Sequence, residues 1–106
     1  MVVKRFEIYY VNLNPIVGSE IKKIRPCLVI SPDDVNKFIN TVIVAPLTST
    51  FKSYPTRINC QVDGKAGQIA IDQMRAVDKV RLIKKIGILD EETSGTVLKV
   101  INEFFA

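Results

Sequence analysis

Large apolar and β-branched side chains run through residues 6–13, with Phe6, Ile8 and Tyr10 on one face and Tyr9, Val11 and Leu13 on the other. A segment apolar on both faces predicts a strand buried on both sides. Asn14-Pro15 ends it, and residues 16–25, which include Gly18, Ser19, Glu20, Lys22, Lys23 and Arg25, show little periodicity and predict a loop. In so small a chain, a connection of that length is more often functional than decorative. Residues 26–31 form a second apolar run. Ser31-Pro32-Asp33-Asp34 then has the form of a helix start, a serine cap followed by proline and two acids in the first turn, and predicts a short helix ending near Asn40. Residues 41–47 are a third, continuously apolar strand closed by the hydroxyls of Thr48, Ser49 and Thr50. Pro46 predicts that this strand lies at an edge or carries a bulge.

Residues 51–55 read as a second loop, and residues 56–62 and 68–72 flank Asp63-Gly64-Lys65-Ala66-Gly67 as a hairpin. Residues 74–78 and 82–89 are two further extended segments around the charged turn Lys79-Val80-Arg81, which brings the strands to about seven. Asp90 can then cap a closing helix whose first turn holds Glu91 and Glu92, with Val97, Ile101, Phe104 and Phe105 at helical spacing. Gly95 inside it costs roughly 1 kcal/mol relative to alanine, so packing must hold the helix. Short strands, frequent turns and one closing helix predict a mainly β fold with some α: a small, strongly bent sheet or partly open, SH3-like barrel whose opening the C-terminal helix covers.

With 106 residues, 47% of them apolar, the chain suits a single domain spanning residues 1–106. Its apolar runs fall far short of the roughly 18 residues that cross a bilayer, and its start does not read as a signal peptide, so the expectation is a cytoplasmic protein without a membrane partner. Cys27 and Cys60 have no CxxC spacing and no histidine to join them, which predicts reduced core thiols ahead of a disulfide or a zinc site. Fifteen basic against eleven acidic side chains give +4, a modest excess that suits a polyanion without identifying one.

A chain without histidine lacks the side chain that most easily gives and takes a proton near neutral pH. Arginine, lysine, carboxylates and hydroxyls remain, a set better suited to stabilising charge on a phosphate than to activating an acyl nucleophile. Read alone, Arg25 is a loop arginine and Thr48 a strand-end hydroxyl that can bond its own backbone. Asp72 and Asp78 read as partners of nearby arginines or as turn caps. Tyr9, Tyr10, Phe104 and Phe105 read as core or dimer contacts.

The order of motifs adds to this reading. Tyr10-Val11-Asn12-Leu13-Asn14-Pro15, then Gly18-Ser19-Glu20 and Arg25-Pro26, resemble the opening signature of the MazF/PemK toxins. Val44-Ala45-Pro46-Leu47-Thr48-Ser49 resembles their second motif, and Asp72 to Lys79 with Arg81-Leu82 their third, followed by a similar Lys85-Ile86-Gly87-Ile88-Leu89 run. The resemblance implies a CcdB/PemK-like fold, a homodimer, a cognate antitoxin, and sequence-specific cleavage of single-stranded, mRNA-type RNA without metal or other cofactor. It further implies Arg25 and Thr48 as the catalytic pair and products with 2′,3′-cyclic phosphate and 5′-hydroxyl ends. Two departures stand out: the family often has GlyAsp where this chain has Phe6-Glu7, and GlnGly-type residues where it has Ile21-Lys22-Lys23.

The chemistry of RNA recognition extends the candidate list. Ser19, Glu20, Ser31, Gln73 and Arg75 can read exposed base edges, and Lys22, Lys23, Lys52 and Lys79 are either phosphate neighbours or solvated charges. The antitoxin is expected to lay an acidic segment along the basic groove. A CcdB-like gyrase poison and a catalytically silent RNA-binding module are the competing functions. The first has no need of the Arg25 and Thr48 pair, and the second would bind RNA without cutting it.

Overall fold

The computed structural model describes residues 1–14 and 23–106. The described residues form, in chain order, β1 (Glu7–Asn12), β2 (Ile24–Val29), α1 (Asp33–Phe38), β3 (Thr41–Thr48), β4 (Arg57–Val62), β5 (Lys65–Ala70), β6 (Arg75–Asp78), β7 (Leu82–Ile88) and α2 (Glu91–Phe104). Six strands follow one antiparallel path, β4-β5-β3-β2-β1-β7, and β6 also pairs with β3. The expected seven-strand sheet with a closing helix is the fold observed.

β3 organises this sheet because it has partners on both sides. Val44, Ala45 and Pro46 pair with β2, while along the other edge Thr41 to Val44 pair with β6 and Leu47 and Thr48 pair with β5. The strand is therefore central, not at the edge as its proline suggested. Pro46 stands between the last residue paired with β6 and the first paired with β5, where the ladder is already interrupted and a missing N–H breaks no run of bonds.

Alternation divides the core between the two faces of the sheet. Ile8, Leu28, Ala45, Leu47 and Ile69 belong to a cluster that Val97 of α2 covers, and Tyr9, Val11, Cys27, Val29, Val42 and Val44 belong to the second. Both cysteines are free and buried. Burial pushes the Cys27 thiol up to about 12 against the pull of Arg75 and Arg25, so it stays protonated near neutral pH. Tyr10 departs from the expected burial: it is 39% exposed, because the first face opens at that end of β1.

The caps and turns show where local chemistry decided. Asp90 caps α2 by accepting from the Thr93 N–H at 2.9 Å, as its sequence predicts. Phe104 and Phe105, by contrast, stack edge to face at 5.1 Å and remain 48% and 67% exposed, so they are not core. The expected five-residue turn at 63–67 contracts to two, since Lys65 to Gly67 pair with Val62 to Cys60. Asp63 and Gly64 both have positive φ, 55° and 74°, the type I′ geometry that twisted hairpins favour. Among the described residues no helix is long and apolar enough to cross a membrane.

Phe6 occupies the left-handed region at φ 71°, at the position where the resemblance expects glycine. That conformation costs a bulky residue about 1–3 kcal/mol. It is held by the Phe6 N–H to the Val29 carbonyl at 2.7 Å, by the Leu89 N–H to the Phe6 carbonyl at 2.9 Å, and by the ring's packing on the first cluster with Arg5 over it. Glu7 beside it is buried, and its carboxylate accepts from the Lys4 N–H (2.7 Å) and the Tyr9 hydroxyl (3.1 Å) and pairs with Lys85 (2.6 Å). Burial alone would raise its pKa; Lys85, the Lys4 N–H and the Tyr9 hydroxyl outweigh that and hold it below the ordinary value.

Ser31 is 4% exposed and does not cap α1, whose N-cap position, Pro32, has no side-chain bond. Its hydroxyl donates to Asn36 Oδ1 at 2.6 Å and accepts from the Ile43 N–H at 3.0 Å, tying the helix to β3. The helix stops at Phe38, two residues before the expected end.

Two stability outcomes follow from these networks. Because the folded pKa of Glu7 is depressed, its contribution is complete above the ordinary glutamate range and disappears as pH falls through the folded value. Glu7→Gln should lower unfolding free energy by about 1–3 kcal/mol at neutral pH, and the two urea curves should converge in acid. Ser31→Ala should cost about 1–3 kcal/mol in thermal or urea unfolding by leaving the Ile43 N–H unpaired in the interior.

Candidate functional site

The β2–β3 register brings together two residues that lie far apart in the sequence. Cys27, Leu28 and Val29 face Pro46, Ala45 and Val44, and continuing that pairing toward the open end of the strands sets Arg25 opposite Thr48. Alternation then puts both side chains on the face of Cys27 and Pro46. Arg25 is exposed and Thr48 half-buried. On its other side Arg25 is registered with Val11 of β1, so the strand that carries it is held along both edges.

Two adjoining depressions share Arg25, Leu47 and Thr48. The larger, about 430 Å³, is also lined by Leu13, Lys23, Pro46, Thr50, Gln73 and Arg75. Among the described residues its lining contains three cationic side chains and no acid. The smaller, about 320 Å³, has an apolar wall that includes Tyr10, Pro26 and Ile86, with Ser49, Asp63 and Lys65 among its polar lining. Gly67 borders it where β5 passes close to β3: a Cβ there would stand 3.0 Å from the Thr48 carbonyl oxygen. A larger residue would have to push that backbone aside.

The hydroxyl of Thr48 accepts from the Thr50 N–H at 3.1 Å, the local backbone bond that its position suggested. That bond occupies a lone pair and leaves the O–H free to donate into the groove. Arg75 arrives from β6, paired with Val44, and acts with Arg25 on the same buried Cys27 thiol, so both guanidinium charges act near one point of the sheet. At the end of β1, Arg81 donates to the Asn12 and Asn14 carbonyls. Lys23 is fixed by its N–H to Asn14 Oδ1 (2.9 Å) and by its carbonyl, which accepts from the Leu13 N–H (2.8 Å). The floor of the groove is thereby tied to the end of β1.

The sequence candidates separate clearly. Lys23, Arg25, Thr48, Gln73 and Arg75 line one groove. Lys52 lies on the loop that follows Thr48, and Ser19, Glu20 and Lys22 fall outside the described residues. Two candidates lie elsewhere. Ser31 is buried beside α1 with its hydroxyl engaged, and Lys79 donates from Nζ to the Asn36 carbonyl beside Met1 and Lys37. Neither faces the groove, because the fold uses each to fasten α1. Asp72 is a structural partner, as expected: it accepts from Arg57 at 2.9 and 3.2 Å and from Thr56 at 2.8 Å, and these bonds hold its carboxyl below the ordinary value. Sequence reasoning missed Tyr10, Thr50, Lys65 and Gly67 as groove residues; only the pairing of β3 with β5 places the last two beside Thr48.

A groove that gathers guanidinium and ammonium groups around a hydroxyl donor, with no carboxylate among the described residues of its larger part, is equipped to bind an anionic phosphate. The chain is 39% identical over 103 residues to Endoribonuclease EndoA of Bacillus subtilis (strain 168), covering 92% of this chain and 89% of that protein. It is 34% identical over 95 residues to Endoribonuclease MazF of Staphylococcus epidermidis, covering 84% and 79% respectively. In fold it is similar to the crystal structure of MazF from Deinococcus radiodurans, with a TM-score of 0.80 at 23% identity over 99% of this chain and 97% of that one. It is also similar to an endoribonuclease in complex with its cognate antitoxin from a mycobacterial species, with a TM-score of 0.82 at 19% identity over 97% of this chain and 94% of that one. Residues 4–105 match the family described as PemK-like, MazF-like toxin of type II toxin-antitoxin system, and the chain belongs to that family.

Proposed function

We propose that this toxin-family chain is a sequence-specific, metal-independent endoribonuclease that cuts single-stranded, mRNA-type RNA. The observation that carries the reading is the placement of Arg25 opposite Thr48 in a groove whose larger part, among the described residues, also holds Lys23 and Arg75 and no acid. The endoribonuclease names of its relatives at 39% and 34% identity support it.

When the 2′-oxygen of a ribose attacks the adjacent phosphorus, the bond to the 5′-oxygen of the next nucleotide breaks and negative charge builds on the nonbridging oxygens. The Arg25 guanidinium can bind two of those oxygens at once, and its work is electrostatic. Thr48 donates its hydroxyl proton to a phosphate oxygen and fixes the angle of approach. The proton of the attacking 2′-hydroxyl passes to water, the leaving 5′-oxygen takes one up from water, and the products carry 2′,3′-cyclic phosphate and 5′-hydroxyl ends. Gln73 and Arg75 read base edges from the groove wall, and Lys23 balances phosphate charge.

The partners follow from the same surface. An acidic antitoxin segment fits a groove with three cations, and similar structures include MazE-MazF from Deinococcus radiodurans. A second copy of the chain is the natural cover for exposed apolar side chains such as Phe104 and Phe105, which gives a homodimer. We place the protein in the cytoplasm, where messenger RNA is.

The test is cleavage of a mixed RNA pool in a metal chelator, with the new 5′ ends sequenced. Arg25→Ala should reduce kcat by about 100- to 1000-fold without loss of folding, the scale of removing one preorganised charge-stabilising donor. Thr48→Val should cost on the order of tenfold, about one neutral hydrogen bond. An undiminished rate in Arg25→Ala would falsify the site, and intact RNA alongside stalled gyrase would replace the nuclease with a topoisomerase poison.

A further inference from the structure

The loop that leaves Thr48 is fastened by a buried amide. Gln68 of β5, registered with Thr48, is 6% exposed, and its Oε1 accepts from the Lys52 N–H at 3.0 Å. Its Nε2 donates to the Lys52 carbonyl at 3.2 Å and to Asn59 Oδ1 at 3.0 Å. One side chain thus grips the backbone of Lys52 from both directions, as a neighbouring strand would. Two residues on, the Tyr54 carbonyl accepts from the Arg57 N–H at 3.1 Å, the Arg57 guanidinium lies 5.2 Å from the Tyr54 ring centre, and Asp72 holds that guanidinium. The loop is pinned at two points.

Beside the first pin stands Phe51, 53% exposed, with a ring that the first core cluster does not include. It borders a depression of about 410 Å³ together with Cys60, Ala66 and Gly67, and those three residues also line the smaller cavity at Arg25 and Thr48. The surface is therefore continuous from the guanidinium, over the glycine where β5 approaches β3, to the phenyl ring. Lys65 lies along the cavity and Lys52 follows Phe51 in the chain. On the far side Asp90 is committed to the Thr93 N–H and hydroxyl. A ring on a pinned loop, at the end of a path on which Arg25 and Lys65 outnumber Asp63, is what a flexible polyanion with flat bases uses: phosphates follow the cations, and a base stacks on the ring.

We propose that Phe51 is a stacking platform for a nucleobase of the bound strand, next to the nucleotide cut at Arg25 and Thr48, and that Gln68 is the positioning residue that holds the platform still. The proposal rests on the RNA-cleaving reading above. It assigns a subsite to a loop that has no part in the chemistry, so the loss it predicts is in binding and not in turnover.

The chain contains no tryptophan, so Phe51→Trp introduces a single indole at the ring's position. Its fluorescence should be quenched by a strand carrying the mapped cut site with a 2′-deoxy nucleotide at the scissile position, which binds without being cut. On the cleavable strand, Phe51→Ala and Phe51→Leu should both raise KM by about tenfold, the size of one base–aromatic stack, with kcat within about twofold of wild type. Phe51→Trp should restore KM. Leucine keeps the apolar bulk without the flat face, so a leucine variant equal to wild type overturns stacking. If Gln68 acts through the platform, Gln68→Ala should raise KM alone but add nothing in the Phe51→Ala background; additive losses overturn its positioning role. Wild-type protein that leaves RNA uncut overturns the nuclease reading and the subsite with it. Wild-type cleavage with an unchanged Phe51→Ala and an unquenched indole overturns the subsite alone.

Discussion

The pairing of β2 with β3 is the constraint on which the rest depends. Three registered pairs, Cys27 with Pro46, Leu28 with Ala45 and Val29 with Val44, lie in the dry centre of the sheet, and five of these six residues are buried. A slip of one residue would reverse the facing of a whole strand, sending Leu28 and Val29 to the wrong clusters. Burial therefore fixes the register in the middle of the pair, and the same register fixes what meets at its open end. Arg25 and Thr48 come together at the place where the two strands leave the core.

β3 carries a second task along its other edge. By pairing with β6 over its first half and β5 over its last two residues, it draws Arg75 from one partner and Gly67 from the other to the two adjoining depressions at Arg25 and Thr48. The interruption between those ladders falls at Pro46, the residue that a continuous central ladder would tolerate least. The change of partner lets the sheet turn around β3, and the groove occupies the turn. Gathering like charges there is unfavourable in the isolated fold, and the open, solvated position of Lys23, Arg25 and Arg75 limits that cost. The repulsion left over is relieved by any polyanion that enters.

Away from the groove the fold is secured by polar groups that the interior satisfies locally. Glu7 collects the Lys4 N–H, the Tyr9 hydroxyl and Lys85 behind a phenylalanine in a glycine-like conformation. Ser31 and Asn36 fasten the short helix to β3, and Gln68 fastens the loop after Thr48. Each of these is a polar side chain at a position where pattern alone suggests surface. Their common feature is a backbone group that has left the sheet ladder and needs a partner.

The sequence by itself determined the number and order of the strands, the cap of the closing helix, the place of the hairpin turn, and the motifs that join Arg25 and Thr48 to a toxin family. These rest on short-range physics: alternation over a few residues, side chains that cap their own backbone, and the positive φ that Asp63 and Gly64 accept. Only the tertiary structure decided that Pro46 sits in a central strand, that Ser31 and Lys79 serve α1 and not the groove, that Phe104 and Phe105 stand outside the core, and that Lys65 and Gly67 border the site. Those outcomes depend on which distant strand lies alongside, and pairing across the sheet is set by the packing of both faces at once, which no local window of residues contains.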